Sequence, residues 1–338
     1  PNIEEQNLTE FLQDVKLKMA NITFSKDADI NEISDFLNES HGKFIRSQVI
    51  YLFGSNLGIK KERLIELAAA SELIHLSTLI HDDIIDEADL RRNKPTVVKK
   101  WGLKKAILYG DYLYTKTFKT LNSIENHEIA SVLIDCAEKL IEGEFIQIRA
   151  NNTLMTIDNY MEVIEKKTAV LFSGILHCLG IYSKQNQENI DYLKDLGLSF
   201  GKAFQLNDDL ADFNDSASTG KAKFKDLDEG KLTFPILIVL KQMSQQEQAE
   251  FKGQINSKDF IAIKEQINER GGFKKTRAER DDAIDNCIEY TSKFIKLDNL
   301  DNMKKFLRKA GFIMNYIELE MLNQVLAGVL SWVLFLQE

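Results

Sequence analysis

Two five-residue stretches hold most of the chemistry available to this chain. Asp82-Asp83-Ile84-Ile85-Asp86 recurs as Asp208-Asp209-Leu210-Ala211-Asp212, and each copy follows an apolar run with helical spacing. On a helix, positions i and i+4 share a face, so Asp82 with Asp86, and Asp208 with Asp212, project carboxylates in one direction. Three carboxylates in one turn repel one another by about a few tenths of a kcal/mol per pair in water and by more when shielded, so an enclosed site needs cations. Oxygen donors without neighbouring Cys or several His select a hard ion, and magnesium binds through one or two carboxylates together with water and substrate phosphates. Two such turns facing each other suit a diphosphate held between them by several Mg2+ ions.

Spacing alone is a weak signal, because the same pattern is common on solvated helix faces. The chain supplies its own control. Asp281-Asp282-Ala283-Ile284-Asp285 has the same spacing inside the charged stretch KKTRAERDDAID, with no apolar run leading into it, and reads as surface. The other two copies have basic company: Arg91 and Arg92 follow the first, and Lys221, Lys225 and Lys231 follow the second. Lys43 and Arg46, at i and i+3 beside an expected helix N-terminus, make a place favourable to anions. His75 stands two turns before Asp82 on the same face. Each of these alone is more often an ordinary surface charge or a satisfied histidine; their joint occurrence points to a site.

The elements that must hold these residues read as helices. Apolar residues recur at helical spacing, as in Ile65, Leu67, Leu73, Ile74 and Leu76, and in Val132, Leu133, Ala137, Leu140 and Ile141. Only three prolines, Pro1, Pro95 and Pro235, interrupt the chain, and no Gly-Ser or Pro-rich linker appears. Turn residues cluster at 39–42, 91–96, 122–127, 151–152, 214–220 and 271–272, which leaves about ten or more helices in a single all-α bundle. The net charge of −9 over 338 residues argues against nucleic acid as a partner, whose binding needs a basic face. Cys136, Cys178 and Cys287 show no paired spacing and suit reduced thiols, and the charged, amphipathic N-terminus lacks a secretory apolar run, so a cytoplasmic protein is expected. The uncharged stretch 321–336 is shorter than the roughly 20 residues of a spanning helix. It is expected to be a helix on the core or on a second subunit, with peripheral membrane contact as the alternative.

Taken in order, the motifs resemble those of the trans-isoprenyl diphosphate synthases, and within them the long-chain, octaprenyl-like branch. The resemblance rests on Gly42-Lys43-x-x-Arg46, the block His75 to Arg92, Lys94-Pro95-Thr96, Gly110-Asp111-Tyr112, and Glu142-Gly143-Glu144 with Gln147. It continues through Lys167-Thr168-Ala169, Phe204-Gln205-x-x-Asp208-Asp209-x-x-Asp212, and the segment from Gly220-Lys221 through Gly230-Lys231 to Pro235. It implies a polyprenyl synthase domain over residues 1–320, its bundle surrounding a central cavity, with 321–338 as an apolar helix beyond it, and a homodimer. It implies condensation of isopentenyl diphosphate with an allylic diphosphate such as farnesyl diphosphate, giving a longer polyprenyl chain for a quinone side chain or related lipid. Asp82, Asp83, Asp86, Asp208, Asp209 and Asp212 would ligate magnesium directly or through water. Arg91, Lys167, Lys221 and Lys231 would hold the leaving diphosphate, and Lys43, Arg46, His75 and Arg92 the isopentenyl diphosphate. Thr168 and Gln205 would face the carbocation.

Product length by this resemblance depends on the residues one turn before the first motif. Ser77 and Thr78 stand there, and small residues imply a deep tunnel, which Leu108 or Tyr112 could close further down. Two departures stand out: the family's additional Arg-Pro near Gly42-Lys43 is missing, and Phe224 occupies a place often given to Gly. Two rival readings stay open at this level, a terpene-cyclase-like enzyme and a non-catalytic subunit of a hetero-oligomeric synthase.

Overall fold

Helix follows helix through the computed structural model, which describes residues 3–39, 42–92, 94–124, 126–151, 155–213, 224–228 and 230–294. Lys221 and the apolar stretch 321–338 lie outside the described residues, as does the boundary expected at 320. The first half runs α1 (Ile3–Thr23), α2 (Ala28–Glu39), α3 (Ile45–Asn56), α4 (Lys61–Ile85), α5 (Val97–Trp101), α6 (Leu103–Asn122) and α7 (His127–Asn151). Next come α8 (Ile157–Ile164), a π-helical turn (Glu165–Ala169), α9 (Val170–Tyr182) and α10 (Gln187–Ala211). The remainder is α11 (Lys225–Asp228), α12 (Phe234–Leu240), α13 (Gln245–Asn256), α14 (Phe260–Glu269) and α15 (Gly272–Ser292). Among the described residues the only strands are β1 (Leu90–Arg91) and β2 (Lys94–Pro95), an antiparallel pair that folds the chain back after the first aspartate motif. The all-α expectation therefore holds, and the described residues belong to one unit.

Local chemistry sets the helix starts. Thr156 and Asn186 accept hydrogen bonds from the backbone of Asn159 and Asn189 and so cap α8 and α10, while Ser244 and Glu247 form a capping box on α13. Helix α4 is long and apolar enough to cross a membrane by length and composition. Here it is the centre of the bundle, with Leu64, Leu67, Ala68, Ala69, Ala70, Leu73 and Ile74 buried against α1, α3 and α6. Helix α10 lies in turn between α9 and α15.

Two glycines let α10 approach closely. A Cβ on Gly201 would lie 2.3 Å from the Cα of Ala169 in the π turn, and one on Gly197 would lie 2.4 Å from the Cα of Ser173. These contacts are backbone, which cannot swing aside. Gly201→Ala is expected to destabilise by about 1–3 kcal/mol in chemical denaturation. Gly253→Ala in α13, where a methyl meets open space, should instead stabilise by about 0.5–1 kcal/mol. Equal effects at the two sites would contradict the close packing.

Candidate active site

Both aspartate motifs stand at the C-terminal ends of long helices. Asp82 and Asp83 lie in the last turn of α4 with Asp86 as its cap, and Asp208 and Asp209 lie in the last turn of α10 with Asp212 as its cap. A helix C-terminus carries the negative end of the macrodipole, so carboxylates there add negative charge to negative potential. Neither placement favours an isolated helix; both favour bound cations.

Two segments bridge the motifs. The first is the π turn. Its Lys167 Nζ lies 3.8 Å from Asp82 Oδ1 on α4, and also meets Glu144 and, at 2.9 Å, Gln147 on α7. The next residue, Thr168, donates to Gln205 Oε1 on α10 at 3.0 Å, and Gln205 donates to Asp209 at 3.1 Å. The second bridge is the stretch leading into α12. There Lys231 Nζ donates to Asp86 Oδ2 at 2.6 Å, and the Phe234 N–H donates to Asp209 Oδ2 at 3.1 Å. The two acidic helix ends thus converge on one site. A π turn is rare and shifts the phase of the helix by one residue, which turns adjacent residues Lys167 and Thr168 toward different motifs.

The six aspartates divide into two groups. Asp82, Asp86 and Asp208 are half-buried, whereas Asp83, Asp209 and Asp212 are buried. Asp83 accepts a 2.8 Å bond from Arg91 Nε, and Asp209 accepts three bonds, including one of 2.5 Å from Tyr160 Oη. Residue i+1 is turned about 100° from residue i on a helix, so the middle aspartate of each motif faces inward. Of the six aspartates expected to reach metal directly or through water, Asp83 and Asp209 accept hydrogen bonds from protein partners. Burial pushes Asp82 up to about 7, with Glu144 acting in the same direction and Lys167 and Arg91 opposing. Burial also pushes Asp209 up to about 7 against the opposing bonds from Tyr160, Gln205 and Phe234. Asp212 accepts from the Asp226 N–H at 3.5 Å, and its carbonyl accepts from Phe224 N at 3.0 Å. Phe224 sits at φ 56°, the left-handed region where Gly is at ease. Its ring contacts with Phe213 and Phe260 offset the strain.

The donor set, carboxylate oxygens without Cys or His, fits a hard divalent cation. Among the described residues no group of three or more acidic, His or Cys side chains is close enough to form a ready-made cage. Instead oxygen donors at two helix ends flank a shared space, the arrangement of an ion that completes its shell with substrate phosphate.

The predicted basic patch also assembles. The Arg46 guanidinium lies 5.0 Å from the ring centre of Phe172, and Arg92 packs so closely on Gly42 that a Cβ there would lie 2.3 Å from its Nη1. Lys43 is exposed beside them. Burial lowers Arg46 to about 10, with Glu72 opposing. His75, expected in the same patch, is a neutral ring here: burial, then Arg46, Arg91 and Arg92, hold it well below the usual histidine range. Sequence reading overlooked Glu72, which is buried and accepts from Ser47 N at 3.0 Å and Ser47 Oγ at 2.8 Å. Its only signal was a charge inside an apolar run. Tyr160 was overlooked too, being one aromatic among many.

Ser77 is fully buried, and its hydroxyl donates to the Gly110 carbonyl of α6 at 2.9 Å; it packs against α6. Thr78 is half-buried and one turn from Asp82 on the same face. Leu108 points outward from α6, and Tyr112 donates to the Thr23 carbonyl at 3.0 Å, so neither closes a tunnel within the chain. Asp281, Asp282 and Asp285 are exposed on α15, as the control requires. Asp281 also pairs with Arg280 at 2.7 Å.

The match to the polyprenyl synthetase family model extends over residues 27–269, and the chain belongs to that family. Its reaction is head-to-tail prenyl transfer. Among curated proteins it is similar to octaprenyl diphosphate synthase of Escherichia coli, 33% identical over 265 residues that span 77% of this chain and 82% of that one. It is similar also to geranylgeranyl diphosphate synthase of Saccharolobus solfataricus, 33% identical over 74% of this chain and 78% of the relative. Among solved structures, a decaprenyl diphosphate synthase from Rhodobacter capsulatus superposes with a TM-score of 0.83 at 29% identity, covering 90% of this chain and 96% of that one. A polyprenyl synthase from Caulobacter crescentus, complexed with calcium and isoprenyl diphosphate, gives 0.82 at 26% identity over 92% and 97% of the two chains.

Proposed function

We propose that this enzyme extends an allylic diphosphate such as farnesyl diphosphate with isopentenyl diphosphate to a long-chain polyprenyl diphosphate. The observation that carries the reading is the double bridge between the aspartate motifs, since one diphosphate between two acidic helix ends needs both ends at one site. Asp82, Asp86 and Asp208 would hold Mg2+, with Asp212 in support, and the ion supplies positive charge that stabilises the departing diphosphate. Lys167, Lys231 and Arg91 stand where they neutralise the same leaving group, so ionisation to an allylic cation is favoured over the bound ester. Arg46, Arg92 and Lys43 hold isopentenyl diphosphate by charge, and neutral His75 contributes a hydrogen bond. Thr168 and Gln205 line the cation's position, and the apolar walls of α4 and α9 keep out water that would quench it. Incubating the purified protein with Mg2+, farnesyl diphosphate and labelled isopentenyl diphosphate should yield chain-extended products. An absence of condensation would favour the non-catalytic subunit instead.

The relatives named above make products of different length, so length is argued from this chain. Thr78 is small and faces the site, which supports a deep tunnel. Thr78→Phe is expected to shorten the product by one or more isoprene additions by chromatographic sizing, whereas Ser77→Phe should chiefly destabilise, by about 1–3 kcal/mol. An unchanged product distribution in Thr78→Phe removes this residue from the tunnel.

A homodimer is supported by an apolar stripe on α7, where Ile134, Ile141, Phe145 and Ile148 are exposed on one face, next to exposed Ile107, Leu108 and Phe118 of α6. Phe145→Glu is expected to shift the sedimenting species from dimer to monomer; a monomeric parent protein would remove the proposal. A cytoplasmic location is supported by three buried free cysteines. Protease accessibility in fractionated cells tests it.

A further inference from the structure

Three donors converge on Asp209, which is fully buried. They are Tyr160 Oη at 2.5 Å, Gln205 Nε2 at 3.1 Å and the Phe234 backbone N–H at 3.1 Å. A carboxylate only accepts, so it selects the NH2 side of the Gln205 amide and thereby fixes which way that amide points. Its Oε1 then faces the π turn, where it accepts from Thr168 Oγ1 at 3.0 Å. With its proton engaged, the Thr168 hydroxyl can offer other neighbours only lone pairs. Tyr160 remains a donor, because burial and Asp209 hold its hydroxyl well above the usual tyrosine range.

We propose that Asp209 is a positioning residue that sets the polarity of the relay Asp209–Gln205–Thr168, with Tyr160 holding its carboxylate in place, so that Thr168 presents lone pairs, and not a proton, to the allylic cation. The inference rests on the reaction proposed above and adds two residues to it: Tyr160, which that reaction does not use, and Asp209, which it had expected on metal. Electrostatically the two orientations differ in sign at the point where positive charge develops, and preorganised dipoles count most there.

Asp209→Asn tests the polarity with little change in shape. The Tyr160 and Phe234 donors still require an acceptor, so the new side chain must turn its NH2 toward Gln205. Gln205 must then turn over, and Thr168 must accept from it and aim its proton at the cation. The variant is expected to lose about 100-fold in kcat with little change in either KM. The deciding measurement is a double-mutant cycle with Thr168→Val. In the parent that change should cost about 10-fold in kcat, and in the Asp209→Asn background it should cost nothing or restore activity. Additive losses would mean that Asp209 is only a structural clamp between α8, α10 and α12, and would overturn the proposal. Tyr160→Phe, which keeps the ring and leaves the carboxylate to orient Gln205, should lower kcat by less than Asp209→Asn, and Thr168→Val should still cost about 10-fold in that background; loss of that cost would overturn the proposal.

Side-chain amide NMR of the metal-free protein gives a readout independent of turnover. The Gln205 NH2 should be slow to exchange in the parent and should shift in Asp209→Asn; unchanged resonances would also overturn the proposal. A parent enzyme that fails to condense its substrates defeats the reaction proposed above, while an active parent with additive losses defeats only the relay.

Discussion

Asp82→Ala and Asp208→Ala are each expected to lower kcat by about a thousandfold or more at saturating Mg2+ and substrates. Each carboxylate lies at a helix end whose potential is already negative, and each belongs to a motif that shares its bridges with the other. Removing one therefore weakens the grip of both on a single diphosphate, and raising the other substrate cannot compensate. Chelating the metal from the parent enzyme should abolish turnover and leave a folded protein, because the acidic ends keep Lys167, Lys231 and Arg91 as partners. Asp83→Asn should have a smaller effect, exerted through loss of the charge in its pair with Arg91. Asp281→Ala is the internal control. It removes the exposed partner of the buried Arg280, which keeps its contact with Asn207, and should leave kcat within about twofold of the parent. Arg280 also reaches Asn207 Oδ1 at 3.4 Å, next to Asp208, so a large loss in Asp281→Ala would make α15 part of the site. Near-normal turnover in Asp82→Ala or Asp208→Ala would remove the metal-bridged reading.

Why these predictions were partly legible in sequence follows from the residues themselves. An apolar helical run ending in Asp-Asp-x-x-Asp shows a buried helix delivering charge at its end, and the copy at 281–285 lacks that run. The period of a helix also shows that Asp83 and Asp209 point away from their neighbours, but nothing local shows what they meet. Arg91 arrives through a two-residue hairpin, and Tyr160 and Phe234 come from helices far away in the chain. The π turn leaves no mark in composition, since EKKTA reads as ordinary helix. His75 counts as a base by type, yet burial and three arginines keep it neutral. Ser77 and Thr78 are adjacent and both small, and only the course of α6 past Gly110 separates a packing residue from one that faces the site.

Arg46 carries the second large effect. Arg46→Lys is expected to raise the KM for isopentenyl diphosphate by about 30- to 100-fold, which corresponds to about 2–3 kcal/mol for a lost charge-assisted contact. The kcat and the KM for the allylic substrate should change little. The substitution keeps a positive charge for Glu72, so the buried carboxylate is not left without a partner and the fold should survive. It removes the planar fork that lies against Phe172 and that, on the function proposed above, would grip two phosphate oxygens at once, which an ammonium cannot imitate. Glu72 holds the start of α3 through Ser47, Arg46 is the preceding residue, and its guanidinium rests on the Phe172 ring, so its position is largely set before substrate arrives. Affinity of this kind comes from preorganisation, and it acts on one of the two diphosphates only. If Arg46→Lys lowers kcat and leaves the KM for isopentenyl diphosphate unchanged, Arg46 serves the leaving group and the two anion sites must be exchanged.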